Sequence, residues 1–292
     1  MKLSLNAAKR NWFLFTLGSN VALAWVLLKC INILPDFIIS AERKKEISFL
    51  LCCIFSKIIF NLNPHIKIKT LGGWDVLNGA DTNPMVIIIN HTSTLDAIFF
   101  AAMLPLKYAS KIKTLFKADL LDTPILGDLF RYCGHFPVHF KHSEVGKFSV
   151  DQEKQTKVIE DIKQHLSNGG HLAFFPEGQI NRGDSRTLQP FRNGLFKIFL
   201  EHQMQAQALA STTENNNAVK NIKMVAFLHR GLEKTWHPTA TTGGNPSEVQ
   251  CKVFPLLFSK DSQLNAIQDE AQENLDFISA QSVQNRNALS KL

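Results

Sequence analysis

His91 and Asp96 bracket four residues in Asn90-His91-Thr92-Ser93-Thr94-Leu95-Asp96, directly after the apolar run Met85-Val86-Ile87-Ile88-Ile89. If that run is a strand ending at Asn90 and a helix starts near Ser93 or Thr94, His91 lies at the strand's carboxyl edge, where α/β proteins place their ligands. Asp96 then falls in the first helical turn and can fold back toward the imidazole. A carboxylate on one ring nitrogen fixes the tautomer and stabilises the imidazolium, leaving the other nitrogen as a general base. Such a pair suits taking a proton from an alcohol that attacks a carbonyl. Plainer readings stand beside this one. Asp96 would complement a helix dipole, and His91 would be a satisfied surface side chain. Asn90-His91-Thr92 also matches a glycosylation sequon, which suits a strand end poorly.

A second polar cluster follows an apolar run in AFFPEGQINRGD, residues 173 to 184. Pro176-Glu177-Gly178 falls at another expected strand end. Gly178 permits close backbone approach, so its amide could face an anion or oxyanion. Glu177 supplies an acceptor for a substrate hydroxyl. Read as local structure only, the tripeptide is a turn. Arg182-Gly183-Asp184 spells an adhesion tripeptide, but nothing else in the chain resembles a secreted adhesion module.

These clusters need a scaffold, and the 292-residue chain is long enough to bury one. Strand candidates are 65–70, 85–89, 135–140, 171–175, 223–228 and 249–254; helix candidates are 95–104, about 113–132, 150–166 and 193–203. The alternation indicates an α/β domain, a mixed central sheet flanked by helices. Residues 210–221 and 239–248 read as loops. The expected division is a membrane-associated helical region at 1–63, a catalytic domain at 64–260 and a polar helical tail at 261–292.

The N-terminal region carries WFLFTLGSNVALAWVLLKCINIL at 12–34, about the length that crosses a bilayer as a helix. Buried core helices are the competing reading of the same hydropathy. Lys2, Lys9 and Arg10 before it would hold the N-terminus on the cytoplasmic side; the catalytic domain is separately expected to face the cytoplasm. No small-residue cleavage site follows, which argues against a signal peptide. The stretch 47–60 is shorter, carries Lys57 and suits an interfacial or re-entrant helix. Five cysteines without CxxC spacing point to a reducing compartment and away from a disulfide framework or zinc knuckle. The net charge of +7 is dispersed, without the interleaved aromatics of a single-strand platform; an anionic membrane surface explains it and no nucleic-acid partner is expected.

The order and spacing of His91-x4-Asp96 and Phe175-Pro176-Glu177-Gly178 resemble the glycerolipid acyltransferase family of 1-acylglycerol-3-phosphate acyltransferases. Lys117, Pro124, Gly127 and Gly134-His135-Phe136-Pro137-Val138 resemble that family's second block, and Phe191-Arg192-Asn193-Gly194 the element after its third. The similarity runs from about 64 to 230. It implies transfer of an acyl group from acyl-CoA or acyl carrier protein to a lysophospholipid hydroxyl, without a covalent acyl-enzyme, a metal or a cofactor. The first acceptor expected is 1-acyl-sn-glycerol-3-phosphate, giving phosphatidic acid. Another lysophospholipid, or a catalytically silent lipid-binding homologue, is the alternative. His91 would be the base, Asp96 its partner, and Glu177 and Gly178 would help bind the acceptor. The chain departs from the family where arginines usually stand: Phe140 ends the second block and Gln179-Ile180-Asn181 continues the third. In the fourth block Met224-Val225-Ala226-Phe227 lacks the usual proline. An arginine grips phosphate bidentately. Arg182, Lys141 and Lys117 are therefore the candidate substitutes.

Overall fold

The computed structural model describes residues 2–77, 83–141, 149–210 and 220–289. Two helices come first, α1 (Lys2–Ile33) and α2 (Ala41–Asn61), then β1 (Ile66–Thr70), β2 (Met85–Ile89), α3 (Asp96–Met103), α4 (Leu106–Ala109) and β3 (Ile112–Lys117). The chain continues through α5 (Leu126–Cys133), β4 (Phe136–Val138), β5 (Phe140–Lys141), β6 (Ser149–Val150), α6 (Gln152–Ser167) and β7 (His171–Phe174). It ends with α7 (Asn193–Ala210), β8 (Lys223–Arg230), α8 (Leu232–Thr235), β9 (Ser247–Pro255) and α9 (Leu264–Leu289).

Seven strands form one sheet in the order β1-β9-β8-β2-β7-β3-β4. Pairing is parallel throughout except between β8 and β9, so the sheet is mixed. Every residue of β2 is buried, and its side chains divide by the strand period of two. Met85, Ile87 and Ile89 enter a core with Phe13 of α1, Phe49 and Cys53 of α2, and Phe99 and Phe100 of α3. Val86 and Ile88 enter the opposite core with Val158 and Ile162 of α6, Phe199 of α7 and Ile267 of α9. Burial on both faces explains why β2 reads as an unbroken apolar run.

Three expectations change. Residues 113–132 are not one helix: β3 takes 112–117, a short 3-10 turn takes Ala118–Asp122, and only Leu126–Cys133 is α-helical. Lys113, Thr114 and Leu115 pair with β7 and β4, and Pro124 with Ile125 at positive φ (66°) breaks the run before α5. The stretch 47–60 is not an interfacial or re-entrant helix but part of α2, whose Phe49, Cys53, Ile59 and Phe60 are core residues. The tail from 261 is not a separate appendage. Ile267, Ala271, Leu275 and Ile278 recur at helical spacing and seal the second core. Most of the expected 210–221 loop lies outside the described residues.

Helix α1 is long and apolar enough over Leu5–Ile33 to cross a membrane. Along that length it buries a narrow stripe, Phe13, Thr16, Asn20, Ala24 and Leu28, against the domain. Asn63 Nδ2 donates to Thr16 Oγ1 at 2.8 Å, and the Trp25 indole donates to Asp128 at 3.0 Å. The other side leaves Phe15, Leu23, Val26 and Leu27 exposed, continued by Phe37 (88% exposed) and Ile38 in the turn to α2.

Candidate active site

Strands β7, β2 and β8 are parallel neighbours, so their carboxyl ends gather the segments that follow them. Asn90 leaves β2 and clamps the end of β8: its Nδ2 donates to the His229 carbonyl, and its Oδ1 accepts the His229 amide, both at 2.9 Å. The chain then turns, and Asp96 opens α3. Neither Ser93 nor Thr94 caps this helix. Leu95 stands at the cap without a side-chain bond, while Ser93 Oγ accepts from Leu95 N and donates to the Trp236 carbonyl at 2.7 Å.

Asp96 is fully buried, and its Oδ2 meets three donors: His91 Nδ1 at 2.7 Å, Thr92 N at 2.7 Å and Ser93 N at 2.8 Å. An ionised carboxylate only accepts, so Nδ1 of His91 carries the proton and Nε2 keeps its lone pair. The ring stacks on Phe175, with centroids 4.0 Å apart, and its side chain is 19% exposed. One nitrogen is therefore committed to Asp96 and the other is available for a proton.

The loop after β7 leans on the same corner. Glu177 is 1% exposed; its Oε1 accepts the His91 amide at 2.8 Å and its Oε2 the Gln189 amide at 2.9 Å. Burial pushes its carboxyl up to about 7, with the two amides pulling the other way. Glu177, the expected acceptor for a substrate hydroxyl, already holds one backbone amide on each oxygen, which makes the side chain a strut between two loops. Gly178 differs too. Its amide donates to the Phe175 carbonyl at 3.1 Å instead of facing an anion, and it adopts φ 70°. A Cβ there would lie 3.0 Å from Cγ of Arg192, so the close approach it permits is by that side chain.

The 179–189 loop folds around Asn181, which is 5% exposed. Its amide donates to the His91 carbonyl at 2.6 Å, and its Oδ1 accepts the Gly183 amide at 2.9 Å. Arg182, next in sequence, is exposed and makes no hydrogen bond or ion pair among the described residues. Lys117 ends β3, two strand spacings or about 10 Å from β2 across the sheet, and pairs with Asp119 at 2.6 Å. Lys141 is exposed on the two-residue strand β5, paired with Ser149 of β6. Thus His91, Asp96, Glu177 and Gly178 come together, Arg182 stands at their edge, and Lys117 and Lys141 lie on other segments. Among the described residues no three His, Cys, Asp or Glu side chains gather as a metal site.

Sequence reasoning missed His229. It is fully buried at the end of β8, with Nε2 3.3 Å from Oδ1 of Asp96. The available signal was a polar residue closing the apolar run Met224-Val225-Ala226-Phe227-Leu228.

A fold with a His–Asp pair at the carboxyl edge of parallel strands defines a class, and comparison with known proteins names it. Residues 75–212, just under half of the chain, match the protein-family model described as Acyltransferase, so the chain carries an acyltransferase domain. Among curated relatives, the 1-acyl-sn-glycerol-3-phosphate acyltransferase of Helicobacter pylori (strain J99) is 26% identical over 132 residues, 44% of this chain and 48% of that protein. Lysophosphatidylcholine acyltransferase 1 of Danio rerio is 26% identical over 189 residues, 61% of this chain and 32% of that protein. The chain thus spans about half the length, or less, of the curated relatives it matches. The crystal structure of the 1-acyl-sn-glycerophosphate (LPA) acyltransferase PlsC from Thermotoga maritima has the same fold. Its TM-score is 0.66 at 14% identity, covering 96% of this chain and 98% of that one.

Proposed function

We propose that this protein transfers a fatty acyl group from a thioester donor, acyl-CoA or acyl carrier protein, to the free hydroxyl of a lysophospholipid. One observation carries the reading: within an acyltransferase domain, His91 has Nδ1 locked to a buried carboxylate at 2.7 Å and Nε2 free. Nε2 takes the hydroxyl proton as the oxygen attacks the thioester carbonyl, and Asp96 stabilises the imidazolium. The tetrahedral intermediate collapses by breaking the carbon–sulfur bond, and the departing thiolate recovers the proton from His91. No side chain is acylated.

The first acceptor is 1-acyl-sn-glycerol-3-phosphate, as in the name of the Helicobacter relative; the name of the Danio relative favours a lysophosphatidylcholine as second reading. Arg182, exposed and free beside the His91 loop, is the acceptor-side cation proposed, with Glu177 and Gly178 shaping that wall. The unpacked apolar side of α1 and the 37–38 turn attach the protein to a membrane. Residues 64–260 form the catalytic unit, with its site facing the cytoplasm.

The test is a panel of lysophospholipids with labelled acyl-CoA or acyl carrier protein and detergent-solubilised protein. Lysophosphatidate should be acylated by the wild type and not by His91→Ala. No transfer to any lysolipid from either donor would sink the reading, and transfer to lysophosphatidylcholine alone would move the acceptor.

A further inference from the structure

Asp96 has two oxygens, and the mechanism above uses one. Oδ2 is saturated by His91 and two backbone amides. Oδ1 is buried, without a hydrogen bond among the described residues, and faces Nε2 of His229 at 3.3 Å. His229 is itself fully buried; neither ring nitrogen makes a hydrogen bond of ordinary geometry, and the Asn90 backbone is near enough to pull on the ring's proton. Phe99 and Phe227 pack about it, ring centroids 5.4 and 6.2 Å away, so an apolar side chain would suit this environment. A buried imidazole here is a costly choice unless it serves the carboxylate. Its place is also held deliberately: Asn90, the residue before His91, grips both its backbone amide and its carbonyl.

We propose that His229 is a positioning residue which holds Oδ1 of Asp96 and so sets how strongly the carboxylate pulls on the His91 imidazole. The inference rests on the reading of His91 as the base. As a neutral imidazole with its proton on Nε2, His229 shares the negative charge of Asp96. His91 then binds its proton less tightly and keeps Nε2 unprotonated, as a base requires. A charged His229 would instead compete with the imidazolium for the same carboxylate.

The groups facing the ring come from several elements: Asp96 of α3, Glu233 of α8, His91 after β2, and Cys251 on β9, its partner across the antiparallel pair. Burial is the largest influence and, with His91, lowers the proton affinity of His229, outweighing the opposing pull of Asp96, Glu233 and the Asn90 backbone. Burial thus favours the neutral ring that the proposal requires.

Histidine-labelled protein in detergent, followed by NMR against pH, tests this without turnover; His91 and His229 are assigned from resonances lost in His91→Gln and His229→Gln. In the wild type, His229 should carry its proton on Nε2 and be uncharged at neutral pH, in line with a buried imidazole. His229→Phe should move the His91 titration midpoint upward by about one pH unit, the size of effect expected for one lost donor to a carboxylate. The acid limb of kcat/KM should move with it, while KM for the acceptor changes less than about twofold. His229→Gln, which keeps an amide donor near Nε2, should restore most of the wild-type midpoint. An Nδ1-protonated His229 in the wild type would overturn the proposal even if His229→Phe does not fold. So would an unmoved His91 midpoint in a folded His229→Phe, or a Gln variant that shifts as far as Phe. If the midpoint moves but His91→Ala keeps full activity, the base reading fails while the coupling through Asp96 stands.

Discussion

The wall around His91 and the basic surface proposed for the acceptor are built on different principles. Around His91, polar atoms are buried and matched: Asp96 Oδ2 has three donors, Glu177 bridges two backbone amides, and Asn90 makes two bonds to one residue of β8. On the basic side the candidates are exposed or paired elsewhere. Arg182 has no ion pair or hydrogen bond among the described residues, Lys117 is engaged by Asp119, and Lys141 sits on the two-residue strand β5. The first wall holds one geometry because each bond would cost a buried polar group to break. The second can change its cations without disturbing the fold, because all three are exposed. On the proposed function, the chemistry is kept by burial and acceptor choice falls to side chains that little else depends on.

The sharpest break in the first wall is His91→Ala, which should lower kcat by about 100- to 10,000-fold with the fold intact, read by acyl transfer and circular dichroism. Glu177→Gln comes next. It leaves one acceptor where two amides need one each, costing about 1–3 kcal/mol in stability. The sign with pH follows from the raised carboxyl, which sits at about 7 against an ordinary 4.5. Its contribution is full below pH 4.5 and is lost as pH rises through 7, so the wild type's advantage in Tm over Glu177→Gln should narrow across that window. A constant gap would contradict a carboxyl that burial controls.

On the basic surface, Arg182→Ala should raise KM for a phosphate-bearing acceptor about tenfold with kcat nearly unchanged, the loss of one charge-assisted contact. An unchanged KM would remove Arg182 as the anchor. Lys117→Ala and Lys141→Ala should do least, each altering KM less than about twofold and stability by less than about 0.5 kcal/mol. A large effect from either would place part of the acceptor on that segment.

The parts legible in the sequence are those set by short-range patterns. The strand 85–89 and the helix that opens at Asp96 could be placed because a doubly buried strand shows as an apolar run that ends where polar residues begin. The region 113–132 reads as one helix because Lys113, Thr114, Leu115 and Phe116 fit a helix face as well as a strand. Pairing with β7 and β4 decides between them, and such pairing is not local.

The same division holds at the site. The sequence alone brought His91 and Asp96 together, because a turn between two positions five apart leaves the carboxylate beside the ring. It also marked the Phe175–Gly178 segment as a second polar strand end. Only the tertiary structure decided what each group does there. Glu177 reaches His91 across 86 residues and Asn90 reaches His229 across 139. Those contacts exist because β7 and β8 flank β2 in the sheet. Parallel strands are joined through long crossovers, so their neighbours are chosen by packing on both faces of the sheet and not by any spacing along the chain.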